Sequence, residues 1–90
     1  MAIELDEDYV EARANLGCVL GELGEVDLAL AAFEGALALH PEYADAHFHL
    51  GRTLDEMARH DEAVTHWREF LRLAPESPWA ATAHERLGKL

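Results

Sequence analysis

YVEARANLGCVLGELGEVDLALAAFEGALALHP, residues 9–41, and YADAHFHLGRTLDEMARHDEAVTHWREFLRLAP, residues 43–75, align without a gap at an offset of 34 positions. Leu16-Gly17 recurs as Leu50-Gly51, Leu20 as Leu54, Ala29 as Ala63, and Pro41 as Pro75. Phe33 recurs as Trp67 and Leu37 as Leu71; Tyr9, Ala12, Glu22, Asp27 and Leu39 recur unchanged. A fixed period of this length is the mark of stacked repeats, each too small to bury its apolar face alone. The question of function then becomes what the stack holds.

The apolar spacing within each copy is helical. Leu16, Leu20 and Leu23 predict a helix from about Tyr9 to Leu23, opened by the capping-box pair Asp8 and Glu11 and stopped by Gly24. Val26, Leu30, Phe33 and Leu37 predict a second helix from about Val26 to Leu39, which ends before Pro41. The second copy predicts helices from about Tyr43 to Met57 and from about Asp61 to Leu73. Ser77-Pro78 reads as an N-cap and first-turn proline of a fifth helix reaching about Lys89, with Trp79, Ala83 and Leu87 as its stripe. No segment alternates with a period of two, so an all-α chain is expected. Short connections make neighbouring helices antiparallel.

The small residues at fixed places have a mechanical meaning. Gly17 and Ala29, then Gly51 and Ala63, let paired helices approach closely, while Phe33 or Trp67 fills the space beside them. Gly35 lies inside the second helix and costs roughly 1 kcal/mol relative to alanine.

Ninety residues form one domain, and half of them are hydrophobic, as in a folded chain. No apolar run approaches the ~18 residues of a membrane span. The opening residues are acidic and lack a signal peptide's basic-then-apolar layout, so a cytoplasmic address is expected. Cys18 is the single cysteine, which excludes an internal disulfide and a multi-cysteine zinc site. The net charge of −11 is uneven: residues 1–50 hold eleven acids and one base, Arg13, whereas residues 51–90 hold seven acids and six bases. Such a field repels phosphate backbones and favours a basic protein or peptide, beyond keeping a small domain soluble.

Taken together, Leu16, Gly17, Ala29, Phe33, Ala36 and Pro41, then Leu50, Gly51, Ala63, Trp67 and Pro75, resemble the signature of the tetratricopeptide repeat. Arg13 and His47 stand where that family often has tryptophan, Phe70 replaces a small residue, and Ala58 replaces the turn glycine. The resemblance implies an all-α, right-handed α-solenoid of about five helices over residues 1–90. Repeats fall at 8–41 and 42–75, a capping helix at 76–90, and residues 1–7 resemble the close of a preceding repeat. Leu87-Gly88 echoes Leu50-Gly51 three residues late, the extra residues entering around 76–80.

In that family the first helices of successive repeats line a concave groove that holds peptides. Helical geometry places Glu11, Asn15, Cys18 and Glu22 within about 60° of one another, opposite Leu16, Leu20 and Leu23. The same stripe one repeat on is Asp45, His49, Arg52 and Glu56, with Phe48 and Asp55 at its edge. Such a stripe can be a plain solvated face; Phe48, an aromatic in a charged surround, is the expected anchor unless it packs against the terminal helix. The family's Lys/Asn carboxylate clamp is not expected, since only Asn15 is present.

No metal, cofactor or reaction is expected. His47 and His49 project about 200° apart, and no two of the six histidines have the i,i+4 spacing of a helical zinc site. Cys18 sits among Glu11, Asn15 and Glu22, where negative charge disfavours a thiolate. The expected function is a protein-interaction module presenting an acidic groove to a protein or peptide with Lys or Arg. The alternatives are a homodimer through the N-terminal edge, or the C-terminal segment of a larger bacterial regulator or enzyme.

Overall fold

The computed structural model describes residues 7–88. It contains α1 (Glu7–Glu22), α2 (Val26–Leu39), α3 (Ala44–Glu56), α4 (His60–Leu73) and α5 (Ala80–Gly88), with no strand among the described residues. α1 packs on α2, α3 on α4, α2 on α3, and α4 on α5, so the hairpins stack in chain order. The acidic lead-in through Asp6 and the side chain of Asp8, expected to cap α1, lie outside the described residues, as does Lys89.

Both hairpin turns close in the same way. The Glu25 N–H donates to the Leu20 carbonyl at 2.8 Å and the Gly24 N–H to that of Gly21 at 3.1 Å. One period on, Arg59 donates to Leu54 at 2.8 Å and Ala58 to Asp55 at 3.0 Å. This paired pattern is a Schellman motif, whose pivot takes a left-handed conformation. Gly24 takes it at φ 84°, which glycine adopts without a Cβ penalty. Ala58 is forced into it at φ 62°.

The role of the repeated glycines is more direct than close helix approach alone. A Cβ on Gly17 would stand 2.6 Å from the Phe33 ring, and one on Gly51 would stand 2.8 Å from the Trp67 ring. Each aromatic lies flat on the glycine of its partner helix, and Phe33, Trp67, Phe70 and Leu50 are fully buried. The Trp67 indole N–H donates to Asp55 Oδ2 at 3.0 Å, while the other Asp55 oxygen faces His60 Nδ1 at 2.9 Å. Arg86 of α5 lies 3.6 Å from the same carboxylate, so Asp55 joins α3, α4 and the terminal helix. Gly35 has its own explanation: a Cβ there would meet the Arg13 guanidinium at 2.8 Å.

Two expectations are corrected. Leu16 and Leu23, assigned to the buried stripe of α1, are 53% and 71% exposed, because no helix covers that side of α1 among the described residues. The fifth helix starts at Ala80, not at Pro78. The Trp79 N–H donates to Ser77 Oγ at 3.0 Å, so Ser77 builds a turn over residues 77–79 before the helix begins.

Candidate functional site

α1 and α3 lie side by side, and between them a concavity of about 310 Å³ opens to solvent. Phe33 lies at its base together with Gly17, whose missing side chain admits the ring, and Gly21. Cys18 and Glu22 line it from α1, and Arg52 and Glu56 line it from α3. Glu22 and Glu56 are repeat equivalents, so one sequence position delivers a carboxylate from each hairpin to the same hollow. Both are exposed, as are Glu11, Asn15 and Asp45, which extend the surface without lining this hollow.

His49 ties the two helices together. Its ring stacks on Phe33 at 5.3 Å, and its Nε2 lies 3.5 Å from Cys18 Sγ. Arg52 donates to His49 Nδ1 at 3.4 Å, so that nitrogen accepts and Nε2 carries the proton toward sulfur. Burial holds the His49 pKa below its ordinary value; the Arg52 charge acts the same way and Asp45 partly opposes both. Burial also raises the Cys18 thiol, against the pull of Arg52 and with the help of Glu22 and Asp45. A neutral imidazole pointing its N–H at a protonated thiol has the wrong polarity for a thiolate–imidazolium pair. The contact positions side chains; it does not activate the sulfur.

Phe48 is not an exposed anchor. It is 5% exposed and stacks on Trp79 at 4.6 Å, with Phe70 and Trp67 each at 5.2 Å. The reason is visible in the repeat: Phe48 and Phe70 stand where the first copy has Ala14 and Ala36, so a pair of small residues has become a pair of rings. The extra residues before α5 bring Trp79 over them. Trp79 is itself 41% exposed and meets the His49 ring at 5.7 Å, which makes it the aromatic offered at the C-terminal end of this face. The sequence reading placed it in the apolar stripe of the fifth helix with Ala83 and Leu87; it lies instead in the connection before α5, where it covers Phe48. Arg52 lies over the Phe48 ring at 5.9 Å.

A second histidine contact lies away from the groove. His47 Nε2 donates to the Pro41 carbonyl at 3.0 Å, which leaves its Nδ1 to accept from His66 Nδ1, also at 3.0 Å. Burial lowers the His66 pKa, and the nearby His47 lowers it further, against Glu62 and Glu69. Among the described residues no cluster of three or more histidine, cysteine or acidic side chains could hold a metal ion. No helix among them is long and apolar enough to cross a membrane.

The tetratricopeptide repeat family model matches residues 14–78. Solved structures of MamA are similar in sequence and shape. One shares 33% identity with a TM-score of 0.72 over 73% of this chain and 39% of that one. Another, of the MamA protein, shares 31% identity with a TM-score of 0.75 over 88% of this chain and 45% of that one. The chain therefore spans less than half the length of either structure. No curated protein matches the sequence.

Proposed function

The chain belongs to the tetratricopeptide repeat family, a protein-interaction scaffold, and we propose that its α1–α3 hollow receives a basic segment of a partner protein. The observation that carries this reading is that Glu22 and Glu56, equivalent residues of the 34-residue period, both line one hollow. Asp45, Glu11 and Asn15 extend the polar surface beyond it, and Trp79 offers an exposed aromatic face at its far end. Arg52 is the cation of the hollow, held at His49 and over Phe48, so an entering Lys or Arg meets the carboxylates on either side of it.

Carboxylates at a solvent-exposed rim contribute mainly to the rate of encounter and to selectivity, and their effect is screened by salt. Binding of a labelled Lys/Arg-rich peptide, followed by anisotropy, is therefore expected to weaken as salt rises. Reversing both charges in Glu22→Lys/Glu56→Lys is expected to weaken it by about tenfold or more. Equal binding by wild type and the double variant would sink the assignment of this hollow.

A further inference from the structure

The place held by Arg13 in the first repeat is held by His47 in the second, and His66 stands where the first copy has Ala32. Arg13 is a permanent cation that lies on Gly35 and donates to the Tyr9 hydroxyl. Its counterpart is a titratable ring, buried and in contact with a second one. Two hydrogen bonds run in series through that ring. The His47 Nε2–H donates to the Pro41 carbonyl at 3.0 Å, and the His66 Nδ1–H donates to His47 Nδ1 at 3.0 Å. The series ties α4, through α3, to the connection between the repeats, residues 40–43. His47 and His49 project about 200° apart on α3, so this contact is separate from the α1–α3 hollow.

The number of protons decides whether the series survives. In the neutral pair His47 has one donor and one acceptor, and both are used. One added proton leaves both bonds in place. On His66 it occupies the free Nε2; on His47 it turns Nδ1 into the donor and His66 Nδ1 into the acceptor. Two added protons put an N–H on both Nδ1 atoms, so donor faces donor and charge faces like charge across 3.0 Å. The contact must then open. The surrounding charges do little to offset this. Glu62 and Glu69 of α4 face His66, but each is bound to an arginine one turn away, Glu62 to Arg59 and Glu69 to Arg72. In the connection, Glu42 faces Arg72 and His40 stacks on Tyr43. Ala36 and Leu37 of α2, packed with Ala46 and Tyr43, carry no charge. We propose that His47 and His66 form a proton-counting latch, closed with no or one added proton and open with two, which frees α4 from α3 and from the connection between the repeats. Burial and the charge of His47 lower the His66 pKa against Glu62 and Glu69, so opening falls below the ordinary histidine value of about 6.5.

Histidine-ring NMR on the full chain, from about pH 8 to about pH 4.5, reads the protons directly. At about pH 8, His47 is expected as the Nε2–H tautomer and His66 as the Nδ1–H tautomer. Both rings are expected to shift together through two steps, the second below about 6.5. Hydrogen exchange, corrected for the intrinsic rate at each pH, reads the opening. Across the second step, protection of residues 44–48 and 62–66 is expected to fall about tenfold more than that of residues 29–36. His66→Gln supplies an amide that donates to neutral His47, accepts from protonated His47 and takes up no proton. It is expected to hold the protection of residues 44–48 within about twofold over the same range. Two rings that titrate singly and independently, or His66 as the Nε2–H tautomer at about pH 8, overturn the proposal. So does the wild-type loss of protection appearing unchanged in His66→Gln. A loss spread evenly over both repeats overturns it too, because the whole chain is then unfolding.

Discussion

Ala58→Gly exchanges one atom group at a point where the molecule carries its own reference. Ala58 pivots the second hairpin turn at φ 62°, and Gly24 pivots the first at φ 84°. The hydrogen bonds around them match: 2.8 Å from Glu25 to Leu20, and 2.8 Å from Arg59 to Leu54. Contacts therefore do not distinguish the two turns, and the difference lies in the Cβ. A left-handed L-residue costs about 1–2 kcal/mol through the clash of Cβ with the following carbonyl. Glycine removes that cost but gives the unfolded chain more freedom, which takes back about 0.4–1 kcal/mol. The net expectation is a stabilisation of about 0.5–1 kcal/mol, or roughly 2–8 °C in Tm for a chain of this size. Gly24→Ala runs the same exchange in reverse and is expected to destabilise by a similar amount. Urea titration and thermal melting by circular dichroism measure both, with the urea m value expected to stay constant. A lower midpoint for Ala58→Gly, or equal midpoints for Gly24→Ala and wild type, would refute the view that Cβ strain is what separates the turns.

Four further substitutions or conditions test other parts of the structure. Gly51→Ala drives a methyl to 2.8 Å from Trp67, whose buried ring is held by Asp55 and Phe48, and is expected to lower stability by about 1–3 kcal/mol despite alanine's helix propensity. Gly21→Ala is its counterpart: the new Cβ meets Ala29 Cβ at 3.9 Å, so about 0.5–1 kcal/mol of helix propensity is expected as a gain in urea midpoint. Asp55→Ala strands the indole N–H of buried Trp67 and is expected to cost about 1–3 kcal/mol, whereas Asp55→Asn keeps an acceptor and is expected to recover much of it. Burial lowers the pKa of both His49 and His66, so below the ordinary histidine value the unfolded chain takes up protons more readily than the folded one. Stability is then fully present above about pH 6.5 and declines as pH falls through the lowered folded values. The melting temperature is expected to drop between about pH 7.5 and pH 5.5, and to drop less in His49→Gln/His66→Gln.

The repeat made most of the fold legible before any coordinates. Val26–Leu39 is the helix its apolar spacing describes, and the stops at Gly24 and before Pro41 are set by local backbone chemistry. Residues whose role depends on a neighbour outside their own hairpin were harder to read. Phe48 carries the spacing of a groove residue, yet Trp79 in an aperiodic connection covers it. The Cys18–His49 and His47–His66 contacts join residues 31 and 19 positions apart on different helices, so no spacing rule within one helix could reveal them. Arg13 and Gly35 also explain each other only across a helix pair: the glycine is a cost within α2 alone, and the guanidinium resting on it supplies the reason for it.

Leu16 and Leu50 show why identical residues of one period need not do the same work. Both follow the same pattern and sit at the same place in a hairpin, but one is 53% exposed and the other 0%. Nothing intrinsic to either hairpin decides this; α2 decides it by lying on α3. Removing a leucine side chain from a sealed site costs about 2–5 kcal/mol, while surface substitutions commonly stay within about 0.5 kcal/mol. Leu50→Ala should therefore destabilise the chain far more than Leu16→Ala, although sequence alignment of the two copies treats them alike. A Leu16→Ala protein as destabilised as Leu50→Ala would mean that the α1 face is already covered, and the edge would have to be redrawn.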